Sequence, residues 1–347
     1  MMLGIETSCD ETAVALVDVD GHVRVSLINS QIELHRIYGG VVPEIASRAH
    51  VQALPPLVDE AMREAGVGWK EITAIAVTRG PGLASSLLAG VAYARGLAQR
   101  LDRPLYGINH LVGHLQSIAL EPSGPAVALD DPHLVLLVSG GHTCLVHRTG
   151  PETWTVLGQT IDDAAGEALD KGARLMGLGY PGGPEIQREA ENGNPGAVAF
   201  PRGLAQPGAG GWRLPFTYSG VKTSLLYHLR KHPEDASPGR RADIAASYQE
   251  AVVDTLIKQL ERALAQYPAR MIGCGGGVAR NRRLRERLAA VAEHYGLHLR
   301  LAAPAYCADN AAMIAAAAGV CYRPRCPAGS TVEVDPNLSL ASPLPMA

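Results

Sequence analysis

Residues 4–21, GIETSCDETAVALVDVDG, and residues 136–150, LLVSGGHTCLVHRTG, are built to one plan. Each joins two apolar, β-branched runs through a short polar turn, SCDE in the first and SGGH in the second. Aliphatic and β-branched residues suit strands, whereas Ser, Gly and Asp close turns. A third run follows each pair, beyond the Asp20–Gly21 turn and at TWTVLG (153–158). Buried-strand patterns then recur at TAIAVT (73–78), PLYGI (104–108) and ARMIGC (269–274), separated by stretches with helical periodicity. The layout repeats although the letters do not, which predicts a duplicated α/β protein. Pro, Gly, Ser and Asp crowd residues 121–132, giving expected lobes at 1–125 and 126–325 and a tail at 326–347. The last helix, about 309–322, is free to pack back on the first lobe. Helices are expected at Pro43–Glu64 (broken near Pro55–Pro56), 83–101, 162–177, 219–231, 240–266, from Val278, and after Asp309.

The totals narrow the function. The chain has 347 residues, 47% of them hydrophobic and 19% charged, as in a folded protein rather than a disordered one. Its formal charge of −3 excludes a globally electrostatic nucleic-acid binder, so any such surface is a local patch. Cys9, Cys144, Cys274, Cys307, Cys321 and Cys326 form no C-x-x-C pair, as expected of a reducing compartment. The N-terminus MMLGIETSCDE is acidic where a signal peptide needs base, and AAMIAAAAGV (311–320) is too short to span a membrane. A cytoplasmic protein is the expectation.

Four features carry chemistry. HLVGH places His110 and His114 four residues apart, on one helix face, where two imidazoles can clamp a metal. Leu111 fills the slot in which H-E-x-x-H would carry a general base, which argues against a metalloprotease. Asp309, in CADN, is a candidate third ligand, although an acid just before a helix more commonly serves as its N-cap. The two turns supply Asp10 and Glu11 in one case and Ser139, Gly140 and Gly141 in the other, acids for a cation and backbone N–H groups for an anion. CGGGV (274–278) ends a strand and opens a helix, but the chain contains no Walker P-loop and only a defective G-x-G-x-x-G. The run RNRRLRER (280–287) is a candidate anion-binding surface or a solvated basic face.

GIETSCDET, GGVVPEIASRAH, TRGPGL, NHLVGH, LLVSGGHT, DDAAGEALDK, GYPGGP, YSGVKT, GGGVARNRRLR and CADNAAMIA occur in that order. Together, over about residues 3–325, they resemble the bacterial TsaD family. The resemblance implies a duplicated two-lobe actin/sugar-kinase/Hsp70-like α/β fold with the ligand cleft between lobes. It implies an acyltransferase that moves threonylcarbamoyl from threonylcarbamoyl-AMP to the N6 amine of the adenosine 3′ of the anticodon, in tRNAs reading codons that begin with A. His110, His114 and Asp309 would hold one divalent ion, Fe2+ in bacterial members, with Zn2+ also suited to the donors. Leu137, Val138, Ser139, Gly140 and Gly141 would cradle the carbamoyl–phosphate group. Asp170, Gly183 and Asn281 would bind the adenosine, and Asp10 would lie near the reacting phosphate and assist deprotonation of the amine. The implied partners are tRNA, a TsaB-type paralogue and a TsaE-type ATPase, with a TsaC-type enzyme making the adenylate. Gln187 stands where many members have an acid, TYSGVK replaces FSFSGLK, and Cys326 stands near a usual Trp. A non-catalytic nucleotide-binding scaffold of the same fold, needing Mg2+ with its nucleotide, is the rival reading.

Overall fold

Met2–Glu6 (β1), Glu11–Val17 (β2) and Val23–Ser30 (β3) form an antiparallel meander. Ala74–Gly80 (β4) and Leu105–Asn109 (β5) extend it in parallel, giving the order β3-β2-β1-β4-β5. The second sheet repeats this plan. His133–Val138 (β6), Thr143–Gly150 (β7) and Thr153–Gln159 (β8) are antiparallel, and Met271–Gly275 (β9) and His298–Leu301 (β10) add in parallel, in the order β10-β9-β6-β7-β8. The expected duplication is therefore present as topology. The central strands β1, β6 and β9 are buried throughout, as their unbroken apolar runs require. The edge strand β3 alternates instead and ends exposed.

The structure, a computed structural model, describes residues 1–38, 40–322 and 332–341. Residues 1–129 and the described residues from Ala302 onward make one unit, and Asp130–Leu301 makes the other. Cys326 lies outside the described residues. No helix among the described residues is long and apolar enough to cross a membrane.

Two expectations need correction. The helix Pro43–Ala65 is not broken at Pro55–Pro56. Both prolines and the preceding Val51 and Gln52 lie on the exposed face, so the carbonyls that lose a partner are on the solvent side. Leu54, Leu57, Val58 and Ala61 meanwhile line the opposite face and are buried in the core of the first unit. Residues 332–341, expected in a loosely attached tail, are packed instead. Val332 joins that core at 5% exposure, and Asp335 N–H donates to the Arg79 carbonyl, Gly82 N–H to Pro336 and Asn109 Nδ2 to Ser339. Val332, Leu338 and Leu340 are buried, but three apolar positions so unevenly spaced in a polar stretch give no periodic signal. Val332→Ala should therefore lower stability by about 1–3 kcal/mol, read as a lower denaturant midpoint; an unchanged midpoint would mean the segment contributes nothing.

Candidate metal centre

The helix His110–Ser117 starts directly from β5, with Asn109 as its cap: Oδ1 accepts from Leu111 N–H at 2.9 Å. Its Gly113 faces the helix Ala311–Ala317. A Cβ at that position would stand 2.8 Å from Ile314 Cδ1 and 3.1 Å from Met313 Cγ, so the missing side chain permits the close crossing. The acid just upstream of that second helix is thereby brought to both histidines. Asp309 Oδ1 lies 3.2 Å from His114 Nε2 and 3.5 Å from His110 Nε2. The imidazoles meet edge to face, with centroids 4.7 Å apart. One donor atom from each of His110, His114 and Asp309 fits within 4.8 Å of the others, close enough for one ion. The alternative role for Asp309 falls away, because the cap of the final helix is Asn310, whose Oδ1 accepts from Met313 N–H at 2.9 Å.

Beneath this group lies a residue that the motifs did not single out. Glu6, at the end of β1 and fully buried, places Oε2 3.0 Å from His110 Nδ1. The same carboxylate accepts from Thr78 Oγ1 at 2.6 Å and from Ser8 N–H. A carboxylate on Nδ1 fixes the proton there and turns Nε2 toward Asp309, the usual support for a ligating histidine. Burial opposes ionisation of Glu6, but the charge and hydrogen bond of His110 outweigh it and hold the carboxyl below its usual range. For His110 burial favours the neutral ring, and Asp309 and then Glu6 overcome it, raising its pKa to about 9. His114 Nδ1 is buried and finds no hydrogen-bond partner among the described residues.

The neighbouring turn adds more acid. Asp10 is 9% exposed, and the Glu11 carboxyl is pushed up to about 10 by burial, then by Asp309 and Asp10. Carboxylates this close repel one another unless protonated or shared by a cation, so the residues present fit a divalent ion.

The remaining expected site residues all belong to the second unit. Leu137 and Val138 are buried in the sheet, leaving only their backbone to offer a ligand. Ser139 closes the turn on itself: its N–H donates to the His142 carbonyl at 2.8 Å, and its Oγ accepts from His142 N–H at 3.1 Å. Gly140 and Gly141 are exposed, with nothing packed where a side chain would be. The helix Ala165–Leu175 abuts this turn, since a Cβ on Gly166 would stand 2.5 Å from the Ser139 carbonyl oxygen. Asp170 Oδ1 accepts from Gly182 N–H (2.7 Å) and Gly183 N–H (3.3 Å), capping the helix Gly182–Ala190. Asn281 caps the helix Arg282–Tyr295 through Leu284 N–H (3.0 Å) and donates to Gln249 (2.8 Å). Gln187 Oε1 accepts from Arg282 N–H at 2.8 Å.

Three arginines of the run, Arg282, Arg283 and Arg287, are paired with acids. Arg283 grips Glu250 at 2.6 and 3.0 Å, Arg287 reaches Asp254 at 2.7 Å and also Glu250, and Arg282 lies 3.3 Å from Glu191. Glu250 and Asp254 stand on the helix Arg241–Leu264, about one turn apart, and Glu191 closes the helix Gly182–Ala190, all too far away in sequence to be paired with the arginines by spacing alone.

A family model for TsaD, tRNA N6-adenosine threonylcarbamoyltransferase, matches residues 22–316. A protein of that name from Magnetococcus marinus is 49% identical over 327 residues, covering 92% of this chain and 91% of its own. Another, from Desulfitobacterium hafniense, is 46% identical over 340 residues, covering 98% and 97%. Component A of the (R)-2-hydroxyglutaryl-CoA dehydratase of Acidaminococcus fermentans aligns over 93% of this chain and 98% of its own, with a TM-score of 0.52 and 14% identity, a likeness of fold alone. The fold is the duplicated actin/sugar-kinase/Hsp70-like one.

Two outcomes follow for metal binding. Glu6→Gln should weaken it about 10–100-fold, read by competition with a chelator; unchanged affinity would remove Glu6 from the centre. Because His110 keeps its proton up to about pH 9 without metal, binding at Nε2 releases a proton. Affinity should then rise about tenfold per pH unit toward that value, and a pH-independent affinity would contradict this.

Proposed function

Because the chain belongs to the TsaD family, we propose that it transfers threonylcarbamoyl from threonylcarbamoyl-AMP to the N6 amine of the adenosine 3′ of the anticodon, in tRNAs reading codons that begin with A. The observation that most supports the reading is the convergence of His110, His114 and Asp309, from distant parts of the sequence, over the buried Glu6. Two imidazoles and a carboxylate suit Fe2+ and also Zn2+, and we take Fe2+ as the native ion. When bound, such an ion supplies Lewis-acid polarisation of an acyl or carboxylate oxygen of the substrate.

The chain's own groups do the rest. The exposed backbone of Gly140 and Gly141 offers N–H donors to the oxygen that gains charge as the amine attacks. Asp170 orders the start of the helix Gly182–Ala190 through one carboxylate oxygen, and its other oxygen is the proposed acceptor for a nucleoside hydroxyl. Asn281 holds the neighbouring helix start by its cap, so its role toward adenosine is mainly to shape the backbone. The new N–C bond forms at the carbamoyl carbon, the C–O bond to phosphate breaks, and AMP leaves with that electron pair. The N6 proton passes to Asp10. Since AMP leaves readily, orientation and charge stabilisation carry more of the rate than a strong base. A TsaB-type paralogue and a TsaE-type ATPase are the proposed partners, with the adenylate supplied by a TsaC-type enzyme.

The test supplies synthetic threonylcarbamoyl-AMP and unmodified tRNA, with and without those partners, and measures the modified nucleoside by mass spectrometry. Product is expected only with this chain present, and its absence under every combination would refute the activity. Asp10→Ala should keep adenylate binding and lose transfer; loss of binding would assign Asp10 a different role.

A further inference from the structure

Behind the Cys9–Glu11 turn, His35, Gln31 and His50 form a buried file, none more than 1% exposed. The direction of each hydrogen bond follows from one backbone amide. Val42 N–H meets His35 Nδ1 at 3.3 Å, and an amide can only donate. The neutral ring of His35 therefore carries its proton on Nε2, which donates to Gln31 Oε1 at 3.2 Å. That assignment turns the Gln31 amide nitrogen toward His50 Nδ1 (3.3 Å) and the Ala46 carbonyl (3.4 Å). Thr12 Oγ1 also donates to His50 Nδ1, at 2.8 Å. His50 is thus protonated on Nε2, which donates to the Cys9 carbonyl at 3.0 Å. The backbone N–H of Gln31 takes the next carbonyl, that of Asp10, at 3.0 Å.

Two consecutive carbonyls of the turn that bears Asp10 are held from one side, that of Cys9 by the side-chain chain through His50 and that of Asp10 by the Gln31 backbone amide. Burying two imidazoles and an amide costs free energy unless every group is paired, and apolar side chains could fill the space at similar stability. What the polar file adds is one defined orientation of the turn. Burial holds His50 below the usual histidine range, against the pull of Glu6 and Asp10, as a neutral link requires.

We propose that His35, Gln31 and His50 are positioning residues for the transfer step, fixing the Cys9–Glu11 turn so that Asp10 meets the reacting amine. The proposal rests on Asp10 as proton acceptor. The test measures kcat, KM for threonylcarbamoyl-AMP, and metal stoichiometry in the complete complex for His50→Phe, His50→Gln and His35→Phe. His50→Phe should lower kcat about 10–100-fold, as loss of a supporting hydrogen bond does at other sites, with KM and metal content unchanged. His50→Gln, which keeps a donor, should recover most of that loss. His35→Phe reaches the turn only through Gln31 and should lower kcat in the same way, which keeps the test decisive if His50→Phe does not fold. In an Asp10→Asn background His50→Phe should cost nothing further, since the two act as one unit. Wild-type kcat in the phenylalanine variants, or a full additional loss in the Asp10→Asn background, would overturn the proposal. Wild-type kcat in Asp10→Asn alone would overturn the role of Asp10, and this inference with it.

Discussion

Glu6 ends the central strand of its sheet with its carboxylate out of reach of water, and a buried charge persists only with partners. Its partners are Thr78 at the matching depth of β4, the Ser8 amide, and Nδ1 of His110. The last contact decides the rest. With Nδ1 engaged, the His110 ring can only present Nε2 to Asp309, and His114, one helical turn on, meets the same oxygen. Removing that carboxylate would leave His110 with no carboxylate to fix its tautomer, and the ligand group without its orientation.

The duplicated topology divides the chemistry. In each sheet the first and second strands are joined by a short turn at the same place, Thr7–Asp10 in one and Ser139–His142 in the other. The first is acidic and lies beside the histidines; the second exposes two glycines against the start of a helix. One architectural position thus carries carboxylates in one unit and exposed glycine backbone in the other.

Much of this was legible in the sequence, for identifiable reasons. Long apolar runs with turn residues between them define both meanders, and i,i+4 spacing defines the histidine pair, because these patterns are local. Asp309 was ambiguous: its alternative as a helix cap could be dismissed only once Asn310 was seen to cap that helix. Glu6 offered one signal, an acid closing the apolar run MLGIE, but its side-chain partners Thr78 and His110 are more than 70 residues away. The acid partners of Arg283 and Arg287 were not legible, because Glu250 and Asp254 meet them only through helix packing. Pro55–Pro56 misled in the opposite sense, since local breaking tendency yields to a buried stripe when the prolines face solvent.

The central claim is that His110, His114 and Asp309 share one ion, oriented from below by Glu6. X-ray absorption on the Fe2+-loaded protein tests it most directly. The account predicts a shell of nitrogen and oxygen donors only, with the multiple-scattering signature of two imidazoles. A sulfur scatterer at about 2.3 Å, or the signature of fewer than two imidazoles, would contradict it.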